Sequence, residues 1–335
     1  MAKLMKSSKD FTIGIDLGGT KVHIALVDQN GTITAQVIRP TTPPDRPELN
    51  PKTASTASAS EVRRHIQYVT AVIANSVDEV AAKLPKGKIL RGIGLASAGP
   101  MNIDEGYLDH PSNFPGWKKV PLVDLLKTEL KKRGLKNPIF FQNDAIAGAL
   151  GEGWIGRARG LETYALITVG TGIGSGVILN GKPAQSKGMG SEWGHLIANT
   201  SGLQKKTNGF YEQTIEGLAS GTGLIRRAHA RGFKKGKVAD LAQAAHDGDP
   251  LARELFDQAA EALAALFYNL SVGFHLECIV VSGGMLAVRD LYLPQANVLY
   301  RQLMRSGFPS FLCPVQVAKL GTKAGVIGAA RLPRL

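Results

Sequence analysis

From Phe11 to Asp28 a short apolar run meets Asp16, breaks at Leu17-Gly18-Gly19-Thr20-Lys21 and resumes as an alternating segment, the pattern of strand, tight turn and strand. Thr32 to Ile38 alternates as a third strand. The plan recurs from Tyr164 to Gly181, where a Gly/Thr turn again joins two apolar stretches and Asn180-Gly181 echoes Asn30-Gly31. Two similar hairpins predict two similar domains facing each other across a cleft. Between them, Val62, Ile66, Val69, Ile73, Val77, Val80 and Leu84 have the spacing of one apolar helix face. Leu122 to Arg133 and Ala145 to Trp154 also read as helices, and Leu251, Leu255, Ala259, Ala262, Leu266, Leu270 and Phe274 mark a long one from Pro250. Buried strands are predicted at Ile89 to Leu95, Pro138 to Gln142, Cys278 to Val281 and Pro314 to Leu320, with a last helix from Thr322 to Ala330. Residues 40–60 carry five prolines and then TASTASAS, a composition that buries little and predicts an extended surface loop.

The breaks in this pattern hold the candidate chemistry. Gly18 and Gly19 carry no Cβ and tolerate φ > 0, so the backbone N–H groups of their turn can approach an anion closely. Thr20 and Lys21 add a hydroxyl and a cation, and Asp16 stands where a carboxylate can hold Mg²⁺ against phosphates, directly or through water. The same Gly-Gly turn also serves a plain hairpin. Asp144 follows a predicted strand and precedes a helix, the place where α/β enzymes put catalytic groups and also where Asp serves as a helix N-cap.

Composition narrows the classes. At 335 residues and 44% hydrophobic content the chain has material for two cores, and its opening residues lack a signal-like apolar run. No segment is long and apolar enough to span a bilayer, so a cytoplasmic protein without membrane contact is expected. Cys278 and Cys313 have no metal-like spacing and form no disulfide framework. The balance of 40 basic against 27 acidic residues, a net +13, suits an anionic partner. The basic residues lie in small scattered groups without aromatic interleaving, so no nucleic-acid partner is expected.

From Asp16-Leu17-Gly18-Gly19-Thr20-Lys21 to Val281-Ser282-Gly283-Gly284-Met285, the chain resembles the ROK family (repressors, open reading frames and sugar kinases) of the actin-like ATPase superfamily. The resemblance implies an α/β, two-domain actin-like ATPase fold of ribonuclease H-like type. Residues 1–118 plus 312–335 would form the N-terminal domain and 119–311 the C-terminal domain, with two crossings between them. It implies ATP and Mg²⁺ as cofactors. Asp16, Gly18, Gly19, Thr20, Lys21, Thr171 and Gly172 would clamp the phosphates, and Gly283 and Gly284 would meet the adenosine. Asn113 lies in a loop close to the family's Asn-x-x-Gly-Trp, and Asn143-Asp144-Ala145 in its catalytic segment. Asn113, Asn143, Glu192, His195 and Glu212 would hold the sugar, and Asp144 would act as general base. Ala96-Ser97-Ala98-Gly99-Pro100 and Asn102 are similar to the family segment that usually reads Pro-Gly-Pro-Val-Asp, with Ser97 and Ala98 as departures from its small or proline residues.

A larger departure concerns metal. Leu203, Lys205 and Phe210 stand where the family has three zinc-binding cysteines, which predicts no structural zinc here. The implied activity is an ATP-dependent hexose kinase acting on the 6-hydroxyl of glucose. Another hexose or N-acetylhexosamine, or polyphosphate as donor, fits the same features. A sugar-responsive transcriptional regulator fits poorly, since ten residues before Phe11 leave no room for a DNA-binding domain in the chain given. Family members are often dimers, so a homodimer is compatible with the resemblance.

Overall fold

The computed structural model describes residues 10–43, 58–200 and 210–335. In chain order the first part holds β1 (Asp10–Leu17), β2 (Lys21–Asp28), β3 (Ile33–Pro40), α1 (Ala59–Ala81), β4 (Ile89–Ser97), the short pair β5 (Met101–Asn102) and β6 (Tyr107–Leu108), α2 (Leu122–Lys132), β7 (Ile139–Asn143) and α3 (Asp144–Ile155). Then come β8 (Tyr164–Val169), β9 (Ile173–Leu179), β10 (Lys182–Pro183), α4 (Ile215–Ala219), α5 (Gly221–Ala230), α6 (Val238–His246) and α7 (Pro250–Phe274). The chain closes with β11 (Cys278–Ser282), α8 (Leu293–Gly307), β12 (Val315–Val317) and α9 (Ala324–Arg331).

Two five-stranded sheets organise these elements, in the orders β3-β2-β1-β4-β7 and β10-β9-β8-β11-β12. In each, an antiparallel meander continues into parallel strands: β4 and β7 follow β1, and β11 and β12 follow β8. The parallel strands are largely buried because helices cover them. Ile13, Ile15, Ile93 and Leu95 are buried in the first core with Val69, Ile73 and Val77 of α1. Ile167, Ile279 and Val281 are buried in the second with Leu263, Phe267 and Leu270 of α7. Fully burying each such side chain contributes roughly 1.5–3 kcal/mol.

Local chemistry sets the helix ends. Ser58 and Glu61 form a reciprocal capping box at the start of α1. In α7, Pro250 occupies the first turn, where its missing N–H costs no hydrogen bond, and Asp249 accepts from the Ala252 N–H at 2.8 Å.

The chain divides into two compact units, one of residues 1–159, 185–190 and 322–335, the other of residues 160–184 and 191–321. The boundary expected at 118/119 falls inside the first unit, because β7 pairs with β4 and thereby brings α2 and α3 with it. The short stretch 185–190 also belongs there: the Ile103 N–H donates to the Lys187 carbonyl at 3.0 Å. The chain therefore crosses between units four times, where two crossings were expected. Among the described residues no helix is long and apolar enough to cross a membrane.

Candidate active site

In the first unit the parallel strands β1, β4 and β7 end together, and register places Asp16 opposite Ala96 and Ser97 opposite Asn143. Asn143 accepts from the Ala145 and Ile146 N–H groups at 2.9 and 3.2 Å, so it is the N-cap of α3 and frees Asp144 from that duty. Asp144 becomes the first helical residue, its carboxylate accepting from the Ala145 N–H at 2.8 Å. Burial pushes its pKa up against that hydrogen bond. Asp16 is driven up from 3.8 to about 7, first by burial and then by the Asp144 charge, with Lys21 opposing.

Two carboxylates that repel each other in a poorly solvated corner offer hard oxygen donors, and Mg²⁺ fits that donor set. The start of α9 shapes the corner. A Cβ on Gly325 would stand 2.5 Å from Asp16 Oδ2, so only glycine leaves the carboxylate its place. The turn after β1 is closed by a hydrogen bond from the Gly18 N–H to the Lys21 carbonyl at 3.0 Å. The loop carrying Asn113 lies against it, since a Cβ on Gly19 would come within 2.9 Å of the Asn113 carbonyl oxygen. Asp16, the Gly18–Lys21 turn, Asn113, Asn143 and Asp144 thus gather at one end of the first sheet.

Asp16 carries a consequence for stability. Its folded pKa lies above its unfolded value, so its contribution is most favourable below about pH 4 and is lost as pH rises through about 7. The ionised form costs at most roughly 4 kcal/mol at alkaline pH, less to the extent that water enters. With divalent cations chelated, Asp16→Asn should raise the thermal midpoint by roughly 2 °C or more at pH 8. The gain should shrink toward pH 4. A gain equal at both pH values in thermal scans would contradict this electrostatic account.

The second unit repeats the device at the β8–β9 turn. The Gly170 N–H donates to the Gly172 carbonyl at 2.9 Å, and α5 is stitched on through Gly221 N–H to Gly170 O at 2.8 Å and Thr222 N–H to Thr171 O at 3.2 Å. Glu216, to which the sequence reading gave no role, accepts from the Ile173 N–H at 2.7 Å and fixes the turn from behind. Gly283 has φ of 101°, and a Cβ there would overlap the Val169 carbonyl, so the β11 end requires glycine. Beside these turns opens a cavity of about 770 Å³, polar at Thr171, Thr222 and Arg226 and apolar at Ile225, Val238, Met285 and Val288. Gly284 lines it.

Glu192 precedes and His195 ends a single helical turn laid on β9, where the Trp193 N–H donates to Ser175 Oγ at 3.1 Å. The Ile215 N–H donates to the Leu196 carbonyl at 3.0 Å and the Ala198 N–H to the Gln213 carbonyl at 2.7 Å, which brings the Glu192–His195 segment beside the segment of Glu212. Glu212 forms an ion pair with Arg226 Nε at 3.3 Å, and Arg226 also lies over the Tyr211 ring, 5.4 Å from its centroid. Sequence reading missed Arg226, because nothing local distinguishes it from a solvated arginine. Of the positions where the family has cysteines, Leu203 and Lys205 lie outside the described residues, and Phe210 is exposed.

The duplicated meander-and-parallel sheet, with a Gly-rich turn at the head of each, is the fold of the actin-like ATPases. The chain belongs to the ROK family, whose model matches residues 12–334. A glucokinase of Thermotoga maritima is 31% identical over 96% of this chain and 96% of its own length. Among solved structures, a ROK hexokinase from Thermus thermophilus superposes with a TM-score of 0.78 at 28% identity, covering 96% of both chains. A ROK family glucokinase from Streptomyces griseus, solved with glucose and AMPPNP, gives a TM-score of 0.69 at 27% identity, covering 97% of this chain and 99% of its own.

Proposed function

We propose that the chain, a ROK-type sugar kinase, transfers the γ-phosphoryl group of ATP to the 6-hydroxyl of glucose, with Asp144 as general base. The observation that carries this reading is Asp144 itself: a carboxylate freed from capping by Asn143, placed at strand ends and made more basic by burial. Its carboxylate accepts the hydroxyl proton as O6 bonds to the γ-phosphorus and the bond from that phosphorus to the β-bridging oxygen breaks. Proton transfer late in a loose transition state asks little of the base. Backbone N–H groups of the Gly18–Lys21 and Gly170–Gly172 turns, with Lys21, take up charge on the phosphates. Asp16 would hold Mg²⁺, directly or through water, which when bound neutralises charge on the transferred group.

Asn113, Asn143, Glu192, His195 and Glu212 supply acceptors and donors for ring hydroxyls, which a deoxy sugar would leave unpaired. The apolar wall of Ile225, Val238, Met285 and Val288 supports ATP over polyphosphate as donor, since a nucleobase has a flat surface to bury there and a polyphosphate has none. Glucose should be the best substrate by kcat/KM, with leakage to mannose and glucosamine, whose changes are confined to carbon 2. The test is coupled ADP release over a panel of hexoses and N-acetylhexosamines. If an N-acetylated sugar or fructose beats glucose tenfold, about 1.4 kcal/mol of transition-state preference, the glucose assignment fails while the kinase reading stands.

A further inference from the structure

A buried histidine that the proposed chemistry does not use sits between the two parts of the first-unit site. His65, on α1, is 5% exposed, and its ring meets Phe114 and Trp117 at centroid distances of 5.9 and 5.7 Å. Trp117 Nε1 lies 3.3 Å from His65 Nδ1. An indole nitrogen only donates, so Nδ1 must accept. The other nitrogen, Nε2, therefore carries the proton and donates to the Thr41 carbonyl at 2.9 Å. Both ring nitrogens are used, the tautomer is fixed and the ring is neutral, in keeping with the burial that pushes its pKa down.

Each side of this ring leads to one part of the site. Trp117 is fully buried and stacks on Phe114 at 4.5 Å and 21°, and its backbone N–H donates to the Phe114 carbonyl at 3.1 Å, so the loop that begins at Asn113 is wound around it. Val62, one helical turn before His65, faces the same loop, where a Cβ on Gly116 would reach within 2.8 Å of its methyl. On the other side, Thr41 is fully buried and holds the glycine turn twice, its Oγ1 donating to the Gly19 carbonyl at 2.7 Å and its N–H to the Thr20 carbonyl at 3.1 Å. A trans peptide points its C=O and the next N–H in opposite directions. With both carbonyls drawn toward Thr41, the N–H groups of Thr20 and Lys21 are turned away from it, available to an anion on the open side of the turn.

We propose that His65 is a positioning residue that latches the Asn113 loop to the Gly18–Lys21 turn, through Trp117 on one side and Thr41 on the other. The latch sets the orientation of the turn's N–H groups relative to the loop. Its bearing on catalysis rests on the assignment above of the turn to phosphate and of Asn113 to sugar.

The test is a double-mutant cycle on kcat, read at saturating ATP and saturating amounts of the best hexose from the panel. His65→Asn shortens the side chain and loses the donor to Thr41, while Thr41→Val removes the hydroxyl that holds Gly19. Each should lower kcat about tenfold, and the double variant should be no worse than twofold below the poorer single one, because both break the same chain of contacts. His65→Gln, long enough to donate to the Thr41 carbonyl, should recover activity to within threefold of wild type. Additive losses near a hundredfold, or unchanged kcat in folded variants, would overturn the latch. Should His65→Asn fail to fold, Thr41→Val against Thr41→Ser decides, since Ser keeps the hydroxyl and should keep the activity.

Amide exchange separates this from the kinase reading. In Thr41→Val, peptides spanning residues 17–22 should exchange at least tenfold faster than in wild type, and in His65→Leu, which leaves Trp117 Nε1 without its ring acceptor, so should residues 113–118. Unchanged exchange in both would refute the latch whatever the enzyme phosphorylates. A wild-type protein that phosphorylates no sugar, yet responds in exchange as stated, would refute only the kinase reading.

Discussion

Replacing Asp144 by Asn should lower kcat by at least about a hundredfold while leaving the fold and sugar binding in place, the low end expected for loss of a general base. The substitution is nearly isosteric. Asn143 would still cap α3, and an amide oxygen at position 144 can still accept from the Ala145 N–H, where the carboxylate now does so at 2.8 Å. What disappears is the basic oxygen. The thermal midpoint should not fall, because the carboxylate's raised pKa marks a charge that the fold holds at a cost. Stopped or steady-state assays on the folded variant provide the check, and turnover near the wild-type rate would remove Asp144 from the mechanism.

The largest expected effect on stability comes from a glycine where two helices meet. A Cβ on Gly328, in α9, would overlap the Ala147 carbonyl of α3, and one on Gly151 of α3 would stand 2.6 Å from the Ala324 carbonyl. The two helices therefore meet backbone to backbone, with no side chain between them to yield. Gly328→Ala should destabilise the protein by at least about 3 kcal/mol, the upper range for overpacking. The roughly 1 kcal/mol that alanine gains over glycine inside a helix is too small to offset this. Denaturant titration should show the loss as a lower midpoint, and an unchanged midpoint would mean that α3 and α9 can separate without penalty.

Much of the site was readable in the chain because its signals are local. The Asp16 turn, the Asn143-Asp144 junction and the second Gly turn each set glycine or a carboxylate at the end of an apolar strand. The long helix Pro250–Phe274 was equally plain from its spacing. By contrast, α6 and α8 went unread: basic and polar residues interrupt their apolar stripes, leaving short patterns that tertiary packing completes. The strand pairing between β4 and β7, which draws residues 119–159 into the first unit, likewise leaves no mark on either strand's sequence.

Glu216, Arg226, Gly325 and His65 share a second kind of invisibility. Each matters through a partner between 14 and 309 positions away, as Glu212 is for Arg226 and Asp16 for Gly325. Asn143 shows a subtler limit. It was expected to face sugar, and its carbonyl oxygen is spent on capping α3, which leaves its amide group as the part available to a ligand.

The order of synthesis gives the placement of α9 a meaning of its own. The first unit draws on residues 1–159 and is finished only by residues 322–335, after all of the second unit has been made. At about 5–20 residues per second, a ribosome needs roughly 10 to 30 s to produce the intervening stretch. Through that interval β1 and β4 lack the helix that rests on Gly14 and Gly94, and Asp16 lacks Gly325 at its side. The nascent first unit must wait with the glycine-lined face of its sheet uncovered, and the corner around Asp16 takes its final form only once residues 322–335 have followed the second unit.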